Sequence, residues 1–196
     1  MGNMKQTLFS LVSLFARLLP LPVKQAIYRF HPLARLIRGS LNAAVEPGLS
    51  EVEIAAGDLK SYKILLNLKS EKSRWLGTYE PELAEAARTF LKPGMTVYDV
   101  GANIGYVSLL LAHHVRPNGK VFAFEALPAN AERIRRNLAL NALESRITLI
   151  EAAVADQGGE ISFFVHESVG MGKAAGSAGR RRSEEHTSEL QSPNTI

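Results

Sequence analysis

Short apolar stretches that alternate with helical stretches of 10 to 15 residues constrain this chain more than any other feature. Met95 to Val100 reads as a compact strand, Gly105 to His114 as a helix and Lys120 to Phe124 as a second strand after the Pro117-Asn118-Gly119 turn. Pro128 to Asn141 follows as a helix with proline in its first turn, Ile147 to Ala153 as a third strand, and Glu160 to Val165 as a further strand after Gln157-Gly158-Gly159. Two strands joined by a helix cannot form a hairpin. They pair in parallel through a right-handed crossover, which gives a Rossmann-like α/β layer. Upstream, Val52 to Ala56 and Tyr62 to Leu68 predict a hairpin around Gly57-Asp58. Glu80-Pro81 opens a helix whose inner face is Leu83, Ala87, Phe90 and Leu91, ending before Pro93-Gly94.

Composition removes several function classes. With 196 residues, 46% of them hydrophobic, the chain is long enough to bury a core. It has no cysteine, which excludes a disulfide scaffold, a thiolate zinc site and cysteine catalysis, and no metal-ligand spacing occurs. Its net charge of +4 is uneven: Lys5, Arg17, Lys24, Arg29, Arg35 and Arg38 all precede the first acid, Glu46, so 17 of the 23 basic residues face all 19 acids in the remainder. That balance argues against nucleic acid as a partner of the core.

The basic front segment, residues 1–45, is expected to be helical and amphipathic. Leu8, Leu11, Val12, Phe15 and Leu19 recur at helical spacing, interleaved with Lys5, Gln6, Ser13 and Arg17. The apolar run is broken by Arg17, Pro20 and Pro22, short of the roughly 20 residues that span a bilayer. It also lacks a signal-peptide cleavage pattern. A cytoplasmic location follows, with two alternatives for the stripe: peripheral contact with an anionic membrane, or packing on protein. At the other end, Arg182 to Ser192 resembles the in-frame translation of a DNA sequencing adapter, with a natural polar tail as the alternative. Residues 181–196 are therefore expected to be a non-native disordered tail, and the natural sequence to stop short of a full domain within 46–180.

The chemistry concentrates where the first parallel strand meets its helix, at Asp99-Val-Gly-Ala-Asn-Ile-Gly-Tyr106. Gly101 and Gly105 permit a tight turn and close approach of a ligand to bare backbone, and the helix beyond offers unpaired N–H groups. Glu125 closes the next strand, where an acid can accept from both hydroxyls of a ribose. Asp99 discriminates between cofactors. A carboxylate beside the loop repels a pyrophosphate, and the glycine spacing is not that of a dinucleotide fingerprint. An ammonium- and sulfonium-bearing ligand such as S-adenosylmethionine suits it.

Four ordered motifs, Trp75 to Pro81 (WLGTYEP), Asp99 to Tyr106 (DVGANIGY), Phe122 to Asn130 (FAFEALPAN) with Asn137 and Asn141 after it, and Ala153 to Asp156 (AVAD), together resemble the FkbM-type S-adenosylmethionine-dependent methyltransferases over about residues 45–180. The resemblance implies a class I methyltransferase fold, incomplete at the C-terminus. It implies a cofactor site made by Glu80, Asp99, Gly101, Ala102, Asn103, Gly105, Tyr106, Glu125 and Asp156. Asp99 to Gly105 would surround the methionine and ribose parts, Glu125 would take the ribose diol, Asp156 would lie near the adenine edge, and Glu80 would help close the site. It further implies O-methylation of a hydroxyl on a sugar, glycolipid or secondary metabolite, by a chain expected to be inactive as truncated. The proline after the ribose-binding acid is displaced to Pro128, which leaves Glu125 in register. No catalytic base is identifiable: His113 and His114 sit at a helix end as surface or capping residues, and His166, at a strand end, is the better candidate. Two other classes stand beside this reading, an NAD-type nucleotide-binding fragment and a non-catalytic membrane or scaffold module built on the front helix.

Overall fold

The computed structural model describes residues 48–156 in full and the backbone of 161–166, 171–174 and 187–192. The expected N-terminal amphipathic helix lies outside the described residues. The chain divides into two compact units, Met1–Ala84 and Glu85–Ile196.

In the first unit, β1 (Ser50–Glu53) and β2 (Lys63–Leu66) pair antiparallel with Val52 opposite Ile64. The hairpin is as expected, with strands shorter at their facing ends, because residues 54–62 close on themselves through Ile54 N–H to Tyr62 O at 2.8 Å and Ser61 N–H to Ile54 O at 3.0 Å. Ile54, Leu59, Ile64, Leu66 and Trp75 form its core. Trp75 lies on a short helix absent from the sequence reading, α1 (Lys72–Leu76), which Gly77 ends in the left-handed conformation. Five residues are too few for periodicity to register.

The helix α2 (Pro81–Phe90) starts at the proline, as expected. Its apolar stripe is not the buried face anticipated: Ala87 alone is buried, Leu83 and Leu91 are half-buried, and Phe90 is 71% exposed. Spacing identifies a stripe that could be covered; it does not supply the cover.

In the second unit, β3 (Thr96–Val100), β4 (Lys120–Phe124) and β5 (Ile147–Ile150) form a parallel sheet in the order β3-β4-β5, with Val97 opposite Val121 and Val121 opposite Ile147. The crossovers are α3 (Tyr106–Val115) and α4 (Pro128–Ala139). This is the expected α/β layer with flanking helices. Because the strands advance in one direction, right-handed connections put both helices on one face. Asp99, Val121, Ala123 and Ile147 are buried on that face, together with Leu109, Ile134 and Leu138 of the helices. Arg146 donates from its guanidinium to the carbonyls of Ala112 and Arg116, so the chain entering β5 caps the C-terminal end of α3.

The alternate residues point the other way and lack a comparable cover among the described residues. Tyr98 and Val100 are 65% and 63% exposed, and Tyr98 stacks on Phe122 and Phe124 with ring centroids 5.5 and 6.3 Å apart. An aromatic sheet face bounded by an edge strand free of proline and lysine is an association liability.

The remaining strands, β6 (Ile161–His166), β7 (Met171–Ala174) and β8 (Thr187–Ser192), form a separate antiparallel sheet in the order β7-β6-β8. The strand expected at 160–165 is therefore present and pairs outside the parallel layer. Part of the expected disordered tail is paired as well: Thr187 to Ser192 lie opposite His166 to Ile161. The run Thr-Ser-Glu-Leu-Gln-Ser contains no glycine or proline, and any such segment can satisfy the open edge of a neighbouring strand.

Replacing Tyr98 by lysine is expected to reduce aggregation measured by light scattering, while costing about 1 kcal/mol of stability in urea melts through the lost aromatic stacking. Undiminished aggregation would mean that this face is not the sticky one.

Candidate functional site

The two loops that leave the C-terminal ends of β3 and β4 are tied together by backbone and by one carboxylate. Gly101 and Ala102 both donate their N–H to Phe124 O, at 3.0 and 2.9 Å, so the chain leaving β3 folds over the end of β4. Glu125 in turn donates its N–H to Ile150 O at 3.0 Å, drawing the end of β4 toward β5. Ligand sites of open α/β sheets form at these carboxyl ends.

Two glycines shape the first loop, both at φ +83°. At Gly105 a Cβ would sit 3.3 Å from Ile134 Cγ1, so the absent side chain lets α4 pack against the start of α3. At Gly101 a Cβ would meet nothing within 4 Å, so this backbone faces open space where a ligand can approach it. Between them Asn103 also has positive φ, at 53°, a conformation asparagine tolerates better than most residues.

Glu125 is buried, at 7% exposure, and its carboxylate is the hub of the site. Oε2 accepts from Asn103 N–H at 2.7 Å, while Oε1 accepts from Leu127 N–H at 2.9 Å and Asn130 Nδ2 at 3.4 Å. A carboxylate offers about four acceptor positions, so one remains, on Oε2. One hydroxyl can bond directly, and a second must displace the long contact from Asn130.

Asp99 is buried at the end of β3, and Ser108 Oγ donates to its Oδ2 at 2.6 Å. Ser108 is completely buried on α3, where side chains lean back toward the helix N-terminus and hence toward the loop. Sequence reasoning missed Ser108, although a lone hydroxyl in the apolar run of α3 calls for a polar partner. It also missed the role of Asn130. Asn137, noted as part of a motif, is fully buried and donates to Ile104 O at 2.8 Å, bracing the loop from α4.

Asp99, Gly101, Ala102, Asn103, Gly105, Tyr106 and Glu125 thus share one end of the sheet. Tyr106 is buried as the first residue of α3. Asp156 is exposed, six residues beyond β5. Glu80 belongs to the first unit, where Tyr79 hydrogen-bonds to it and the Arg74 guanidinium lies 4.0 Å from the centre of the Tyr79 ring. Burial, then the hydrogen bond to Glu80, raises the Tyr79 hydroxyl above the ordinary 10.0, against the opposing pull of Arg74.

The residues present fit a nucleoside bearing a cationic amino-acid arm. An open glycine admits the ligand to the backbone, Glu125 keeps one acceptor for a hydroxyl, and a buried carboxylate at Asp99 suits positive charge better than phosphate.

Asn137→Ala should lower unfolding stability by about 2 kcal/mol in urea melts, since the Ile104 carbonyl loses its donor and a small cavity opens. A change below about 0.5 kcal/mol would remove Asn137 as the brace. Because the fold favours protonated Tyr79, its contribution is complete below the ordinary tyrosine value and is lost as pH rises through the raised one. The melting temperature of wild type should therefore fall more steeply above pH 10 than that of Tyr79→Phe, and identical alkaline slopes would contradict this.

Comparison with known proteins supplies the family. Residues 99–195 match the methyltransferase FkbM domain. A protein-L-isoaspartate O-methyltransferase of Aeropyrum pernix is 53% identical over 47 residues, which cover 24% of this chain and 18% of that protein. A carboxy-S-adenosyl-L-methionine synthase of Yersinia pestis is 30% identical over 71 residues, 36% of this chain and 27% of the relative. Among solved structures, an S-adenosylmethionine-dependent O-methyltransferase from Thermotoga maritima superposes with a TM-score of 0.37 and 26% identity, covering 61% of this chain and 43% of that one. The chain spans less than a third of the length of these curated relatives. The family model thus identifies an FkbM-type S-adenosylmethionine-dependent methyltransferase domain at residues 99–195, which holds the loop that opens at Asp99 and most of the parallel layer.

Proposed function

We propose that the loops after β3 and β4 bind S-adenosylmethionine and that the protein transfers its methyl group to a hydroxyl of a sugar, glycolipid or secondary metabolite. The observation that carries the reading is the juxtaposition of an open Gly101, a buried Asp99 and a Glu125 with one acceptor position left. Asp99 attracts the cationic arm, the Gly101 to Gly105 loop lets the nucleoside lie against backbone, and Glu125 Oε2 takes a ribose hydroxyl. Asp156 is assigned to the adenine edge by motif position. The bound cofactor supplies an electrophilic methyl group on a sulfonium. The protein's part in the transfer is to align the acceptor with that methyl group and to take the proton that a hydroxyl gives up.

An NAD-type ligand is the competing nucleotide. Its pyrophosphate would approach the loop beside the Asp99 carboxylate, and that repulsion disfavours it. Among the described residues no helix is long and apolar enough to cross a membrane. A membrane-docking role for the N-terminal segment stays a separate proposal, tested by vesicle sedimentation with and without residues 1–22.

Thermal denaturation should show stabilisation of the full chain by S-adenosylhomocysteine and none by NAD at equal concentration, the shift growing with ligand as linkage requires. Stabilisation by NAD alone would overturn the assignment.

A further inference from the structure

Ser108 is the polar group of the site that the cofactor reading leaves without a task. It sits on the third residue of α3, fully buried, within an otherwise apolar stretch that includes Leu109, Leu110 and Ala112. A hydroxyl in such a place costs stability unless it is hydrogen-bonded, and its bond goes to the one acidic side chain of β3. At 2.6 Å the O–H to Asp99 Oδ2 contact has the length of a charge-assisted bond, which is about twice as strong as a neutral one. Glu125, the other buried acid at this end of the sheet, is held by backbone N–H groups and an amide. Asp99 accepts from a hydroxyl on the helix that follows its own loop.

Resting on the cofactor reading above, we propose that Ser108 is a positioning residue: by holding Asp99 Oδ2 it fixes the plane of the carboxylate that receives the ammonium-bearing arm of the ligand. The carboxylate of an aspartate turns about a soft, broad torsion, so a short bond to one oxygen restricts where the charge points. The register of α3 thereby sets the recognition of one end of the ligand, and the adenosine end does not depend on it.

The experiment is a calorimetric titration of the full chain and its S108A, S108T and D99N variants with two probes. S-adenosylhomocysteine carries the amino-acid arm, and 5′-methylthioadenosine lacks it. S108A is expected to weaken S-adenosylhomocysteine about tenfold, the scale of a lost charge-assisted bond, while methylthioadenosine stays within about twofold. S108T keeps the hydroxyl and should restore most of the loss. The S108A/D99N double variant should bind no more weakly than D99N, because Ser108 acts through Asp99. Equal affinity of S108A and wild type for S-adenosylhomocysteine overturns the proposal, as does a parallel loss of both probes, which marks a purely structural role. If S108A does not fold, S108C, close in shape and a weak donor, carries the same comparison. Failure of wild type to bind either probe would instead overturn the cofactor reading, and the role of Ser108 with it.

Discussion

One buried carboxylate holds together the loops at the C-terminal end of the parallel sheet. Glu125 gathers the Asn103 N–H from the loop after β3 and the Leu127 N–H from the turn into α4, both of which would otherwise be donors at irregular backbone. Burying a negative charge is costly, and three donors converging on it make the burial tolerable. The same bonds set the spacing between the two loops.

Much of this arrangement could be read from sequence because its causes are local. Periodicity placed the parallel strands and both crossover helices, Pro128 marked the start of α4, and the glycines at 101 and 105 marked the turn. Asp99 and Glu125 were visible as acids that end apolar strands. Ser108, and the tasks of Asn130 and Asn137, were less legible, since each depends on which group meets it across 5 to 33 residues of chain. The donors on Glu125 are hidden for the same reason: the sequence shows an acceptor and not the N–H groups that already use it.

The sheet shows the same division. Alternation along β3 and β4 predicts two faces, and two successive right-handed crossovers send both helices to one of them. Asp99 lies on the covered face between exposed Tyr98 and Val100. Asp99, proposed as part of the cofactor site, is therefore adjacent in sequence to the residues that threaten solubility, and a register slip of one position would exchange them.

The order of contacts along β3, α3, β4, α4 and β5 has a kinetic side. Each strand pairs with the next one in the chain, and the Arg146 clamp on Ala112 and Arg116 closes only after β5 begins to form. Each parallel pairing closes only across a whole crossover helix, so Thr96 to Ile150 is expected to assemble slowly, its apolar strands exposed until the helices dock, with the arginine latch as its final step.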